Sequence, residues 1–119
     1  MKDFRTLQVW QHAHRVTLEV YKLSRLFPKE EIFGMTSQIR RAGVSIAANI
    51  AEGAGRSGDI EMARFFQIAF GSACELEYHL LLAKDLEYLP AVKHSEVDEE
   101  VVEVKKMLAS FLRKLRSDR

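Results

Sequence analysis

The chain has 119 residues, 47% of them hydrophobic and 29% charged, with 18 Lys and Arg against 17 Asp and Glu. That length suits one domain over 1–119, and a net charge of +1 with ordinary apolar content argues against both global disorder and a uniformly basic nucleic-acid coat. The one cysteine, Cys74, cannot close an intramolecular disulfide, residues 1–5 lack the apolar core of a secretory signal, and no apolar run of about 18 residues escapes interruption by charge. A cytoplasmic protein without a membrane span is expected.

Four segments read at the helical period. Leu7, Trp10, His14, Leu18 and Tyr21 recur every three or four residues and predict a first helix from about Thr6 to Leu26, closed by Phe27 and Pro28. Thr36 is placed to cap a second helix, whose apolar positions Ile39, Ala42, Gly43, Ile46, Ala47 and Ile50 are small enough for close approach, and Gly53, Gly55 and Gly58 end it. A third helix is expected after an Asp59 cap and runs to about Tyr88, some 45 Å at about 1.5 Å per residue. It carries two apolar stripes. Met62, Phe66, Ala69, Ala73, Leu76, Leu80 and Ala83 form one, and Phe65, Ile68, His79, Leu82 and Leu86 form the other. So wide an apolar arc calls for burial on several sides, against its own bundle or against another subunit. Ser95 is a cap candidate for the fourth helix, where Val97, Val101, Val104, Leu108, Phe111 and Leu115 repeat in heptad fashion.

Without a competing strand pattern, the fold class is all-α. Short connections near 28–35, 54–59 and 89–95 predict an antiparallel up-down-up-down four-helix bundle, with the first helix beside the second and fourth. The charge is segregated along it. Residues 1–58 carry 9 basic and 5 acidic side chains, residues 59–103 carry 3 and 11, and residues 104–119 carry 6 and 1.

Enzyme chemistry finds little support. Gly53, Gly55 and Gly58 match G-x-G-x-x-G, but a dinucleotide loop leaves a strand and this one leaves a helix. A di-iron bundle needs Glu and His three residues apart on two helices, whereas Glu75 and His79 lie four apart, as a polar pair on one face. Cys74 follows core position Ala73 and is expected to be a partly buried, inert thiol; Ser45 and Ser72 lack a neighbouring activating base. No catalytic residue, metal ligand or cofactor is therefore predicted.

Two polar features remain. Ser45, Asn49, Glu52 and Arg56 follow steps of four, three and four, so they form one stripe, read first as a structural hydrogen-bonding network. Arg40, Arg41, Arg56, Arg64, Lys105, Lys106, Arg113, Lys114, Arg116 and Arg119 offer charges to phosphate, although cations near a helix end also favour its dipole and solubility.

The segment Gln38 to Gly53, reading QIRRAGVSIAANIAEG, lies inside a recognisable pattern, supported by Leu7-Gln8-Val9-Trp10, Phe27-Pro28, and Ala69-Phe70-Gly71-Ser72 followed by Glu75-Leu76-Glu77. It resembles the small bacterial four-helix-bundle proteins associated with intervening sequences of 23S ribosomal RNA genes. Ala73-Cys74 departs from the bulkier aliphatic residue expected after Gly-Ser. The resemblance implies a bundle that assembles as a ring-like homopentamer, and it extends to accessory proteins of diversity-generating retroelements, whose pentamers bind a reverse transcriptase and nucleic acid. The expectation is a non-enzymatic accessory module that contacts RNA or DNA; the alternative is a structural or protein-binding scaffold, for example a reverse transcriptase partner. The surplus apolar surface at Phe65, Ile68, Phe70, His79 and Leu82 is the expected subunit interface.

Overall fold

A computed structural model describes residues 2–117, so Arg119 of the basic tail lies outside the described residues. Four helices form the body: α1 Gln8–Ser24, α2 Met35–Ala54, α3 Asp59–Asp85 and α4 Ala91–Ser117, with 3-10 turns at Phe4–Thr6 and Lys29–Glu31. No strand occurs among the described residues. α1 and α3 each pack against both α2 and α4, which leaves α2 and α4 at opposite corners.

Cross-helix bonds fix the directions. Thr17 Oγ1 donates to the Gly43 carbonyl at 3.0 Å and Arg40 Nε to Ser24 Oγ at 2.7 Å, so α1 and α2 run antiparallel. Ser45 Oγ meets Ser72 Oγ at 2.7 Å while Gly53 faces Phe66, which sets α3 antiparallel to α2. Lys105 Nζ bonds Glu77 at 2.7 Å and Arg116 bonds Gln67 at 2.7 Å, which does the same for α4 against α3. The result is the expected antiparallel bundle, 46 × 22 × 20 Å.

The first stripe of α3, from Met62 to Ala83, is buried at every predicted position, as are Ile39, Ala42, Gly43, Ile46 and Ile50 of α2. On α4 the seam is Val97, Val101, Val104, Leu108, Leu112 and Leu115, and Phe111 stands half-buried beside it with its ring edge-on to Phe66 at 5.0 Å.

The expected face of α1 is out of phase. Val9, Ala13, Val16, Thr17, Val20 and Ser24 are buried, while Leu18 is 57% exposed and Tyr21 and His14 are also exposed. The smaller and β-branched residues allow α1 to lie close on the small-residue face of α2, where the Thr17–Gly43 bond crosses. The larger residues are displaced to the flank. There Trp10 stacks on His14 at 4.8 Å and takes Phe4 edge-on at 4.9 Å.

Helix ends also differ from expectation. α2 starts at Met35, with Thr36 buried inside it, because Glu31 Oε1 accepts the Met35 amide at 3.0 Å and supplies the cap from the preceding turn. Asp59 is the first residue of α3 rather than its cap; Gly58 stands in the cap position with φ 88°, a backbone that favours glycine. Asp59 and Glu61 then place negative charge in the first turn, where the helix dipole favours it. α3 stops at Asp85, not Tyr88, since the Tyr88 amide reaches the Ala83 carbonyl and the Glu87 amide that of Lys84, both at 2.9 Å, closing a Schellman motif with Glu87 at φ 65°. Finally, α4 begins directly after Pro90 at Ala91, and Ser95 lies exposed within it.

Candidate nucleic-acid interface

The antiparallel arrangement gathers one end of the bundle from the end of α2, the start of α3, the end of α4 and the amino terminus. The Lys2 amide donates to the Ala54 carbonyl at 2.8 Å, which brings Lys2 and Arg5 to this end, a contribution with no periodic signal in the sequence. Arg56 and Arg64 both lie over the Phe65 ring, at 4.9 and 4.8 Å. One turn along α3, Gln67 accepts from Arg116, so the last turns of α4, with Arg113 and Lys114, flank the same corner. Five of the predicted phosphate contacts therefore share one end: Arg56, Arg64, Arg113, Lys114 and Arg116.

Their charge is partly balanced. Arg56 pairs with Glu52 at 3.2 Å and Arg64 with Glu61 at 3.4 Å, each between exposed side chains where such pairs contribute little to stability. Arg113 and Lys114 form no ion pair among the described residues.

Of the other predicted cations among the described residues, three lie away from this end and Lys106 lies next along α4. Arg40 is at the opposite end, stacked on Tyr21 at 4.8 Å and bonded to Ser24; Arg41 is bonded to Gln38 and Glu75. Lys105 sits mid-bundle, where its bond to Glu77 raises the ammonium pKa against the lowering effect of burial. Lys106 is exposed on the α1–α4 flank, in a groove with Leu7, Met107, Phe111 and Lys114.

The predicted polar stripe divides in two. Ser45 and Asn49 are half-buried, with Asn49 Nδ2 donating to the Ser45 carbonyl at 2.8 Å and to Ser45 Oγ at 3.1 Å, and Ser45 linked onward to Ser72. Glu52 and Arg56 form an exposed pair of their own. Asn49 thus bonds within α2 and bridges no helices. One further polar cluster continues the α2–α3 seam: Glu75 accepts from Arg41 and meets His79 Nε2 at 3.1 Å. Burial pushes the Glu75 carboxyl up, but the bonds and charges of His79 and Arg41 outweigh it and hold the group below its usual range. Glu75 and His79 have no third ligand partner, and no group of three or more His, Cys, Asp or Glu among the described residues is arranged to hold a metal.

Four of the five residues expected at the subunit face are half-buried within the chain. Phe65 lies under two guanidiniums, Phe70 lies 5.8 Å from Lys105 Nζ, His79 pairs with Glu75, and Leu82 packs against the core. Only Ile68 of the five is exposed, at 44%. Cys74 is exposed, not partly buried as expected, because it faces a surface groove between α3 and α4, with Glu77, Tyr78, His94 and Asp98, rather than the core. Its outward position follows directly from the burial of Ala73 and Leu76 on the opposite side.

Residues 5–110 match the family model described as 23S rRNA-intervening sequence protein. The chain belongs to that family. A crystal structure from Bacteroides thetaiotaomicron VPI-5482, described as a protein with unknown function from the S23 ribosomal protein family, superposes with a TM-score of 0.81 at 28% identity, covering 87% of this chain and 97% of that one. Comparison with curated proteins gives no match. The family span ends at 110, so Arg113, Lys114 and Arg116 lie beyond the matched segment while Arg56 and Arg64 lie within it. No helix among the described residues is long and apolar enough to cross a membrane.

Proposed function

We propose that the chain is a non-enzymatic, self-assembling accessory module of the cytoplasm whose basic end contacts RNA or DNA. The observation that carries this reading is the convergence of Arg56, Arg64, Arg113, Lys114 and Arg116, with Lys2 and Arg5, on one end of a subunit whose net charge is only +1. Phosphate contacts of this kind supply sequence-independent affinity through release of counterions. Arrangement as a homopentamer, which the family resemblance implies, would present five such ends together and multiply a weak contact.

Fluorescence anisotropy with a labelled single-stranded RNA of about 30 nucleotides tests the reading. Binding at low salt should fall steeply as salt rises, with log K linear in log salt. The double variant Arg113→Glu/Lys114→Glu, both exposed, should lose most of it while retaining the helical melt. Absence of binding at about 50 mM salt, or binding insensitive to salt, rejects nucleic-acid contact.

A second reading is a protein-binding scaffold, including a partner for a reverse transcriptase. It is favoured by the apolar side chains left exposed at the other end of the bundle, Leu26, Ile32 and Phe33. A stoichiometric protein that copurifies without nucleic acid is its expected signature.

A further inference from the structure

The largest uncovered aromatic surface is not on α3. Phe33 is 92% exposed, and it borders a groove between α1 and α2 lined by Tyr21, Ile32, Arg40 and Val44. The short segment carrying it is held firmly: Glu31 caps α2 with one carboxylate oxygen and accepts from the Tyr88 hydroxyl at 2.9 Å with the other. An aromatic side chain displayed on a fixed turn beside other apolar groups loses little conformational freedom on docking. Arg40 adds charge to the groove. Its guanidinium bonds Ser24 Oγ and stacks on Tyr21, both neutral, and it forms no ion pair among the described residues.

The complementary surface is on the same chain. α4 places Glu96, Asp98, Glu99, Glu100 and Glu103 within eight residues, and among the described residues only Glu96 has an ion-pair partner, Lys93 at 3.8 Å. Val92, Glu96, Glu99 and Glu103 follow steps of four, three and four, so they share one exposed stripe, with Val92 69% exposed at its start. α2 and α4 occupy opposite corners of the bundle, so one subunit cannot bring its own two surfaces together. They come nearest in height at the start of the stripe: Val16 and Glu19 of α1, one turn from Tyr21, share a groove with Glu96, Val97 and Glu100 of α4, while Glu103 lies further along, beside Thr6 to Val9.

We propose that the Phe33 groove receives the acidic α4 stripe of a second copy of this chain, in a head-to-tail contact. Two unlike surfaces on neighbouring faces of the bundle, on either side of α1, generate a ring if the rotation closes and a filament if it does not. The overlap in height at Glu96 allows a lateral contact. The proposal rests on the self-assembly part of the reading above and assigns its contact to α1, α2 and α4 rather than to the α3 stripe expected from sequence.

The test is sedimentation equilibrium of the full chain across a concentration series. Phe33→Ser removes a side chain with almost no contact inside the subunit, so the thermal melt of the isolated subunit should be unchanged while association weakens at least about tenfold. Glu96→Lys/Glu99→Lys should weaken assembly comparably, and adding Arg40→Glu in the same chain should recover most of it, since the charges are then exchanged across the contact. Wild-type assembly should also loosen with added salt. If wild type assembles and both Phe33→Ser and Glu96→Lys/Glu99→Lys assemble as tightly, the contact lies elsewhere, with the exposed α3 side around Ile68 and Tyr78 the next candidate, and the proposal is overturned. A wild-type chain that stays monomeric throughout overturns both this contact and self-assembly, while leaving RNA binding to its own assay.

Discussion

Glu87 holds φ 65° at the end of α3, where the left-handed backbone crowds its Cβ against the following carbonyl. Replacing it by glycine should relieve that crowding and raise stability by about 0.5–1 kcal/mol in urea denaturation, the loss of backbone entropy offsetting part of the gain. The converse holds at Gly53. A Cβ there would lie 2.9 Å from Phe66 Cδ1 and 3.0 Å from Phe65 Cβ, so Gly53→Ala should cost roughly 1–3 kcal/mol through displacement of a buried ring. Glu31 offers a test by pH. Its bond from the Met35 amide, aided by that from Tyr88, lowers its pKa below the ordinary 4.5, against a small opposing effect of burial. Because the folded state holds the proton more weakly than the unfolded chain, the stabilisation is complete above about pH 4.5 and disappears as pH falls through the lower folded value. Glu31→Gln should therefore flatten the acid limb of the stability profile, measured as the urea midpoint from about pH 6 to pH 3, without abolishing it, since Glu75 is shifted in the same direction. Neither Glu87 nor Glu31 stands out from its neighbours in sequence, and Gly53, expected there to end the helix, lies inside α2 against Phe66. Each depends on what the chain does two to six residues away or on a facing helix.

At the scale of an element, α3 was legible because its principal stripe repeats for seven positions without a break, and every one is buried. α1 was harder. Both of its candidate faces are apolar at helical spacing, and the decision between Leu18 and Val16 was made by the fit against α2, where bulk is a disadvantage. The polar stripe of α2 had the correct spacing and part of its expected role: Ser45 and Asn49 form a hydrogen-bonded cluster that reaches Ser72 on α3, although Asn49 itself bonds along its own helix. Asn49→Leu should consequently change the unfolding free energy by less than about 1 kcal/mol, because no cross-helix partner is left unpaired. A larger loss in a denaturation curve would require that Asn49 bridge helices after all.

For the whole molecule, charge segregation along the chain becomes segregation in space only through the antiparallel path. The α2–α3 connector and the end of α4, separated by about sixty residues, meet at the basic end, while Arg40 and Arg41, which are closer to Arg56 in sequence, are carried to the far end. The proposed docking groove lies at that far end, so the two surfaces are physically separate. Phe33→Ser should then weaken binding to an RNA long enough to span several subunits while leaving affinity for a fragment of about 6 nucleotides nearly unchanged, because only the former draws on multiple copies. Parallel anisotropy titrations with the two lengths check this; equal losses for both would mean that Phe33 itself contacts the RNA.

Sequence alone determined the four helices, their antiparallel order, the seams of α2, α3 and α4, and membership of the 23S rRNA-intervening sequence protein family, because periodicity, breaker residues and short connections are local properties of the chain. Tertiary structure decided which side of α1 faces inward, where each helix stops, which cations share a surface, and that Phe65, His79 and Leu82 of the second α3 stripe are half-buried within one subunit while Ile68, Leu86 and Phe33 are exposed. Those outcomes depend on how closely two facing surfaces can approach and on which distant charges are brought together, quantities that no single segment contains.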